Sequence, residues 1–252
     1  MTTQRFETAQ QRVPAVLLVG GMGTRLQAVL PAATPKPLAR LGGTPFLQLL
    51  IRQLRAQGFR HVVMCTGHLA DQIEEEFGNG SKWDITIDYS KETEPLGTGG
   101  AVKLAGCYLA DCSDFVVMNG DSFLEINLRE LIDFHLGHKG ALTMAIRQVP
   151  SAARYGTVQV NESSRIVAFD EKQGIEKPGL INGGVYVFKR AVLECMPDGP
   201  SSLENDVFPL LINDGIFAVP QDGMFIDIGT PEDYARAQVI RKNLEEAAQA
   251  GF

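Results

Sequence analysis

Three glycines, Gly20, Gly21 and Gly23, follow the apolar run VPAVLLV, with Arg25 two residues further on and Lys36 between two prolines in TPKPL. Glycines let backbone N–H groups approach phosphate oxygens closely, and a guanidinium and an ammonium neutralise the charge. That is the chemistry of a polyphosphate site. A P-loop is excluded, because no Lys-Ser/Thr stands at the GxxxxGK[ST] offset. A dinucleotide fingerprint is incomplete, because Thr24-Arg25-Leu26 follows Gly23 and the last glycine of GxGxxG is missing. For the glycines alone, a structural turn after a strand is the competing reading.

These residues act together only if the surrounding elements bring them together. Val13 to Val19 is expected as a buried strand stopped by Gly20-Gly21. Apolar residues at 46, 47, 50, 51 and 54 form one helical stripe over 46–57, which Gly58 ends. Further strands are expected at 61–67, 85–90 and 115–121, with helices at 69–77 and 98–110. Asn127, with Glu130 three residues on, caps a helix to about His138. Strands alternating with helices predict an α/β fold, Rossmann-like and three-layered, whose central sheet is mainly parallel. From Ala141 the strands ALTMAIRQ, TVQVN, IVAFDEK and GGVYVFK follow closely, predicting a mixed or antiparallel second half. A short strand, MFIDIG, then leads into Thr230 as N-cap and Pro231 at N1 of a C-terminal helix over 231–248. We expect one domain over 13–240, with lobes 13–140 and 141–240, behind a loose segment 1–12. Ligands of open α/β sheets bind beyond the carboxyl ends of the strands. GGMGTR, Gly120-Asp121 and Asp227 all stand at such ends.

The chain of 252 residues carries 23 basic and 30 acidic side chains, a net charge of −7. That balance argues against nucleic acid or an anionic membrane as partner, since both need a basic face. No signal peptide and no apolar run of spanning length is present, so a cytoplasmic protein is expected. Cys65, Cys107, Cys112 and Cys195 form no CxxC pair and are expected to be buried reduced thiols. His135 and His138 lack the Cys or carboxylate cluster that zinc requires and are expected at the surface near a helix end. No hexapeptide repeat is present, so no acyltransferase β-helix is expected.

Taken in order, LLVGGMGTRL (17–26), TPKPL (34–38), EPLGTGGA (94–101), NGD (119–121), RYGTV (154–158), FDEK (169–172), GLINGGVYVF (179–188) and FIDIGTPEDY (225–234) resemble the sugar-1-phosphate nucleotidyltransferases. The resemblance runs from about 13 to 240 and is nearest to the D-glycero-α-D-manno-heptose-1-phosphate guanylyltransferases. Mannose-1-phosphate guanylyltransferases and N-acetylmuramate-1-phosphate uridylyltransferases share much of the pattern. It implies the nucleotide-diphospho-sugar transferase fold with a smaller sugar-binding lobe. The implied reaction is attack by a sugar 1-phosphate on the α-phosphorus of an NTP, GTP foremost, feeding cell-surface polysaccharide synthesis.

The resemblance also implies roles. Asp121 and Asp227 would hold Mg²⁺, which takes one or two carboxylates besides phosphates and waters. Arg25 would grip the leaving phosphates and Lys36 the α-phosphate. Val19, Gly20, Gly21, Met22, Gly23, Thr24, Leu96, Gly97, Thr98 and Gly120 would line the nucleotide, Gly120 by leaving room for it. Glu92 would accept from the guanine N1–H and N2–H₂ donors. Lys172 would bind the sugar phosphate, with Glu171, Tyr155, Gly156, Asn182 and Gly183 around the sugar. The reading leaves a homo-oligomer open, and a non-catalytic sensor of sugar nucleotides is the contrasting class.

Overall fold

The computed structural model describes residues 13–251 except 32, 171–173 and 175; the segment 1–12, Glu171 and Lys172 therefore lie outside the described residues. The first half of the chain runs β1 (Ala15–Leu18), β2 (Arg40–Leu41), β3 (Thr44–Pro45), α1 (Phe46–Ala56), β4 (His61–Thr66), α2 (Ala70–Phe77), β5 (Thr86–Lys91), α3 (Gly97–Leu104), β6 (Asp114–Asn119), β7 (Ser122–Leu124) and α4 (Leu128–Gly137). The second runs β8 (Leu142–Val149), β9 (Thr157–Val160), β10 (Ile166–Asp170), β11 (Gly179–Lys189), α5 (Val192–Cys195), α6 (Phe208–Leu211), β12 (Ile216–Gln221), β13 (Phe225–Asp227), α7 (Pro231–Val239) and α8 (Arg241–Ala247).

Among the described residues, nine strands form one sheet. β6, β1, β4 and β5 are parallel neighbours, as alternating helices require. β11 joins this block antiparallel to β6 through Val185–Lys189, while its first half meets β9 at Ile181. The change of partner falls at Gly183-Gly184, where Gly184 has φ +74° and the pairing with β8 shifts register. β8 lies along the other edge of β11, with β12 parallel to it. Alternate residues of β1 face opposite layers. Leu17 packs with the apolar stripe of α1 and with Leu131, whereas Val16 packs with Val102, Val117 and Phe208. The result is the expected mainly parallel three-layer α/β arrangement.

Asn127 accepts from the Arg129 and Glu130 amides, and Thr230 accepts from the Asp233 amide, so both caps form as expected. Three expectations are corrected. The C-terminal helix is two helices broken at Ile240: Tyr234 and Gln238 of α7 donate to the Arg40 carbonyl, while Leu244 and Ala248 turn into the core beside α1. Of the cysteines only Cys65, inside β4, is buried; Cys107 and Cys195 are exposed on short helical turns, and all four are free. His135 is 1% exposed, because it continues the Leu128–Leu131–Ile132 stripe of α4 and finds polar partners inside, Thr143 and Asp114.

Candidate functional site

The loop after β1 starts on a ladder bond, Val19 N–H to the Cys65 carbonyl. Gly20 then passes so close to the next strand end that a Cβ there would lie 3.1 Å from the Gly67 nitrogen and 2.8 Å from Glu92 Oε1. Gly23 has φ +59°, and a Cβ on it would stand 2.7 Å from the Lys36 Cβ. A side chain is excluded at Gly23 on both counts. Lys36 is framed by Pro35 and Pro37, which restrict the backbone before its one 3₁₀ turn. The loop and Lys36 thus share one wall of a cavity of about 640 Å³. Val19 to Arg25, Glu92, Gly97, Thr98 and Asp121 line it, together with Gly67, His68 and Asn119. Arg25 is exposed on its rim and, among the described residues, has no ion-pair partner.

Asp121 follows β6, and β7 pairs antiparallel with β13 in the register Ser122↔Asp227. The Ile228 amide donates to the Asp121 carbonyl at 3.0 Å. A pairing across more than a hundred residues therefore sets the two carboxylates side by side. Lys36 Nζ lies 2.6 Å from Asp121 Oδ2 and 3.9 Å from Asp227 Oδ1. Burial and the neighbouring Asp121 charge push the Asp227 carboxyl up from its ordinary range, opposed by Lys36 and the Gly229 amide. One ammonium faces two carboxylates, leaving one negative charge uncompensated.

These are hard-oxygen donors on a cramped, partly buried site. Among the described residues no cluster of three or more His, Cys, Asp or Glu could cage a metal alone. Two carboxylates with no further protein ligand fit Mg²⁺, which keeps several waters, better than Ca²⁺ or Zn²⁺.

A second cavity, of about 770 Å³, opens on the other side of Asn119 and Asp121, which line both. Tyr155, Gly156, Asn182, Phe225 and Asp227 stand around it. Tyr155 and Phe225 meet edge to face with ring centres 6.2 Å apart. Asn182 is held by its own strand, donating to the Tyr186 hydroxyl at 2.6 Å and accepting from the Gly184 amide at 2.9 Å.

Four expected positions have other duties. Gly120 lets β6 close on β1, where a Cβ would be 2.5 Å from the Leu18 carbonyl oxygen. Gly183 packs on β8 with its missing Cβ 2.9 Å from the Ala145 oxygen, and it is Gly184 that lines the second cavity. Leu96 is absent from the cavity lining; its amide donates to Glu92 and its carbonyl accepts from Ser201. Gly97 does border the first cavity, yet its φ of +67° and a Cβ 2.6 Å from the Ser201 oxygen show that it also admits the 201 segment.

Sequence reasoning missed Gly67, His68, Asn119, Asp170, Ser202 and Glu204. Gly67 and Asn119 follow the same strand-end rule that located Asp121. The Ser202 segment carried an N-cap signature, since Ser202 accepts from the Asn205 amide while Asp206 accepts from the Ser202 amide.

With this geometry in hand, comparisons with known proteins point one way. A family model described as Nucleotidyl transferase matches residues 14–243. The chain is 39% identical over 226 residues to the D-glycero-alpha-D-manno-heptose 1-phosphate guanylyltransferase of Aneurinibacillus thermoaerophilus, covering 89% of this chain and 96% of that one. It is 39% identical over 240 residues to the mannose-1-phosphate guanylyltransferase of Mycobacterium tuberculosis, covering 92% of this chain but 66% of that longer one. The crystal structure of HddC from Yersinia pseudotuberculosis complexed with GMP-PN aligns with TM-score 0.80 at 32% identity, over 90% of this chain and 98% of that one.

Proposed function

Since the chain belongs to the nucleotidyl transferase family, we propose that it transfers a guanylyl group from GTP to a sugar 1-phosphate, D-glycero-α-D-manno-heptose 1-phosphate first, releasing pyrophosphate. The observation that carries this reading is that Asp121 lines both cavities and shares Lys36 with Asp227. A nucleotide in the first cavity and a sugar phosphate in the second would meet at these three side chains.

The attacking phosphate is ionised at neutral pH, so no general base is needed; catalysis rests on in-line positioning and charge neutralisation. Lys36 exchanges carboxylate oxygens for those of the α-phosphate, and its proline frame keeps it in reach. Arg25 grips the leaving phosphates from the rim. Asp121 and Asp227 would hold Mg²⁺, which when bound neutralises charge on the phosphate oxygens. Lys172 and Glu171 are assigned to the sugar-linked phosphate and a sugar hydroxyl by resemblance.

The guanine preference rests on Glu92. One of its oxygens accepts from the Leu96 amide at 2.9 Å, and the other points at the Gly20 backbone. Burial pushes its carboxyl upward, and donors on a base edge would favour the ionised form. A second reading keeps GTP and takes mannose 1-phosphate. It is favoured by the equal 39% identity to the mannose enzyme of M. tuberculosis.

The test is pyrophosphate release with Mg²⁺, crossing five NTPs with heptose, mannose, glucose and N-acetylmuramate 1-phosphates, products identified by mass. Turnover with GTP and the heptose phosphate alone establishes the first reading. GTP with mannose phosphate establishes the second. Nucleotide binding without turnover across the whole matrix would favour a sensor.

A further inference from the structure

The segment Ser201 to Asn205 links the second cavity, which Ser202, Glu204 and Asn205 line, to Thr98 on the wall of the first. The Ser201 amide donates to the Leu96 carbonyl at 2.9 Å, and the Ser201 carbonyl accepts from the Gly99 and Gly100 amides at 2.8 and 3.3 Å. At Gly97, Gly99 and Gly100 a Cβ would collide with Ser201 or Gly199 at 2.5 to 2.7 Å. The glycines of LGTGG therefore let this segment lie directly on the start of α3. Thr98, on the wall of the first cavity, turns its hydroxyl the same way. Thr98 Oγ1 accepts from the Leu203 amide at 2.8 Å and lies 3.4 Å from Glu204 Oε2. Ser202 Oγ donates to that same oxygen at 3.1 Å.

Glu204 itself lines the second cavity. Two hydroxyls fix its Oε2, and among the described residues Oε1 has no hydrogen-bond partner. Asn182 and Asn119 line the same cavity, and behind Asn182 the buried Tyr186 phenol is pushed upward by burial first and by the Glu204 charge second. Tyr155, Phe169 and Phe225 add apolar walls. A carboxylate only accepts, so its natural ligand is a pair of hydroxyl donors on a body with apolar faces. A sugar ring is such a body.

We propose that Glu204 is a specificity residue that reads ring hydroxyls of the sugar 1-phosphate, and that Thr98 is the positioning residue that aims it from the nucleotide side. The inference rests on the sugar-phosphate reading above.

The experiment measures KM and kcat of the full chain with GTP and Mg²⁺. It uses the productive sugar 1-phosphate and its monodeoxy analogues, with wild type, Glu204→Gln, Glu204→Asp, Thr98→Val and the double variant Thr98→Val/Glu204→Gln. Glu204→Gln should raise KM for the sugar phosphate about 10-fold or more, as loss of a charged hydrogen bond does, with KM for GTP unchanged within about twofold. The deoxy analogue that costs wild type most should cost Glu204→Gln little, and Glu204→Asp should recover part of the loss. Thr98→Val should raise the sugar KM in wild type but add nothing to Glu204→Gln. Equal penalties for every analogue in wild type and Glu204→Gln would overturn the role of Glu204. Additive effects of Thr98→Val and Glu204→Gln would overturn the positioning. Wild type inert toward every sugar phosphate would instead fell the parent reading, and this one with it.

Discussion

Lys36 and Asp121, 85 residues apart in the chain, meet at 2.6 Å, with Asp227 3.9 Å from the same nitrogen. The Lys36 side chain is 12% exposed, and its ammonium is the counter-ion that lets two carboxylates stand together. Lys36→Met should therefore lower stability, by about 1 kcal/mol given that Asp121 is 41% exposed and partly screened. Asp121→Asn should leave stability unchanged or raise it, because it removes the charge that repels Asp227. Both variants should lose turnover. Thermal melts of the ligand-free protein decide it: an Asp121→Asn variant melting below Lys36→Met would contradict this account.

The Asp227 carboxyl titrates above its ordinary range because of burial first and Asp121 second. The unfolded chain releases this proton at the ordinary value, near 3.9. Between that value and the raised one, the folded protein holds a proton that the unfolded chain has lost. Stability therefore falls as pH rises through the window, and the whole penalty persists above it. Asp227→Asn keeps an oxygen for the Gly229 amide and removes the penalty. Its melting temperature should exceed that of wild type at pH 7, with the gain disappearing below about pH 4. A constant difference across that range would assign the effect to packing.

Removing Arg25 tests the phosphate grip without disturbing the apo network, since this side chain has no ion-pair partner among the described residues. Arg25→Ala should cost on the order of 3 kcal/mol in the barrier, about a hundredfold or more in rate. Single-turnover kinetics report it directly. A loss of tenfold or less would remove Arg25 from the transition state.

The parts of this site that the sequence revealed are those written locally. The glycine loop, the Asn127 and Thr230 caps and the strand-end rule for Asp121 each need only a few neighbouring residues. The pairing of β7 with β13 does not, and only that pairing explains why Asp227 faces Asp121. A glycine's sequence context does not say which backbone approaches it, so the strand contacts of Gly120 and Gly183 are not legible there. Both serve strand packing. The burial of His135, by contrast, has a local signal. The residue sits at i, i+3, i+4 and i+7 spacing with Leu128, Leu131 and Ile132, an apolar stripe that outweighs its polarity.

Two glycines three residues or fewer apart separate backbone strain from ligand approach. Gly23→Ala forces a Cβ to 2.7 Å from Lys36 at φ +59°. It should cost about 1–2 kcal/mol in stability and displace Lys36, lowering kcat. At Gly21 nothing lies within 4 Å of the built Cβ, and φ is not positive. Gly21→Ala should melt like wild type, while raising KM for GTP if its backbone approaches phosphate. Circular dichroism melts with steady-state kinetics distinguish the two, and equal destabilisation by both would refute the distinction.

His135 predicts a pH dependence of stability that is remote from catalysis. Its ring bridges Thr143 Oγ1 at 2.8 Å and Asp114 Oδ1 at 3.2 Å, at the amino end of β6, whereas Asn119 and Asp121 lie at the carboxyl end. Burial pushes its pKa below the ordinary value, helped by Lys189 and His138 and opposed by the Asp114 charge and hydrogen bond. Between the lowered value and about 6.5 the unfolded chain binds a proton that the folded protein refuses. Stability is thus complete above about pH 6.5 and falls as the solution is acidified through that window. His135→Gln, which preserves a donor and an acceptor without titrating, should flatten the melting profile between pH 7 and 5. Its kcat at pH 7 should stay within about twofold of wild type, because the ring meets β6 at the end opposite the site. An unchanged slope in the variant would remove His135 as the source of the acid sensitivity. Asp227, whose carboxyl is raised, pulls in the opposite direction, so the sign of the slope tells the two groups apart.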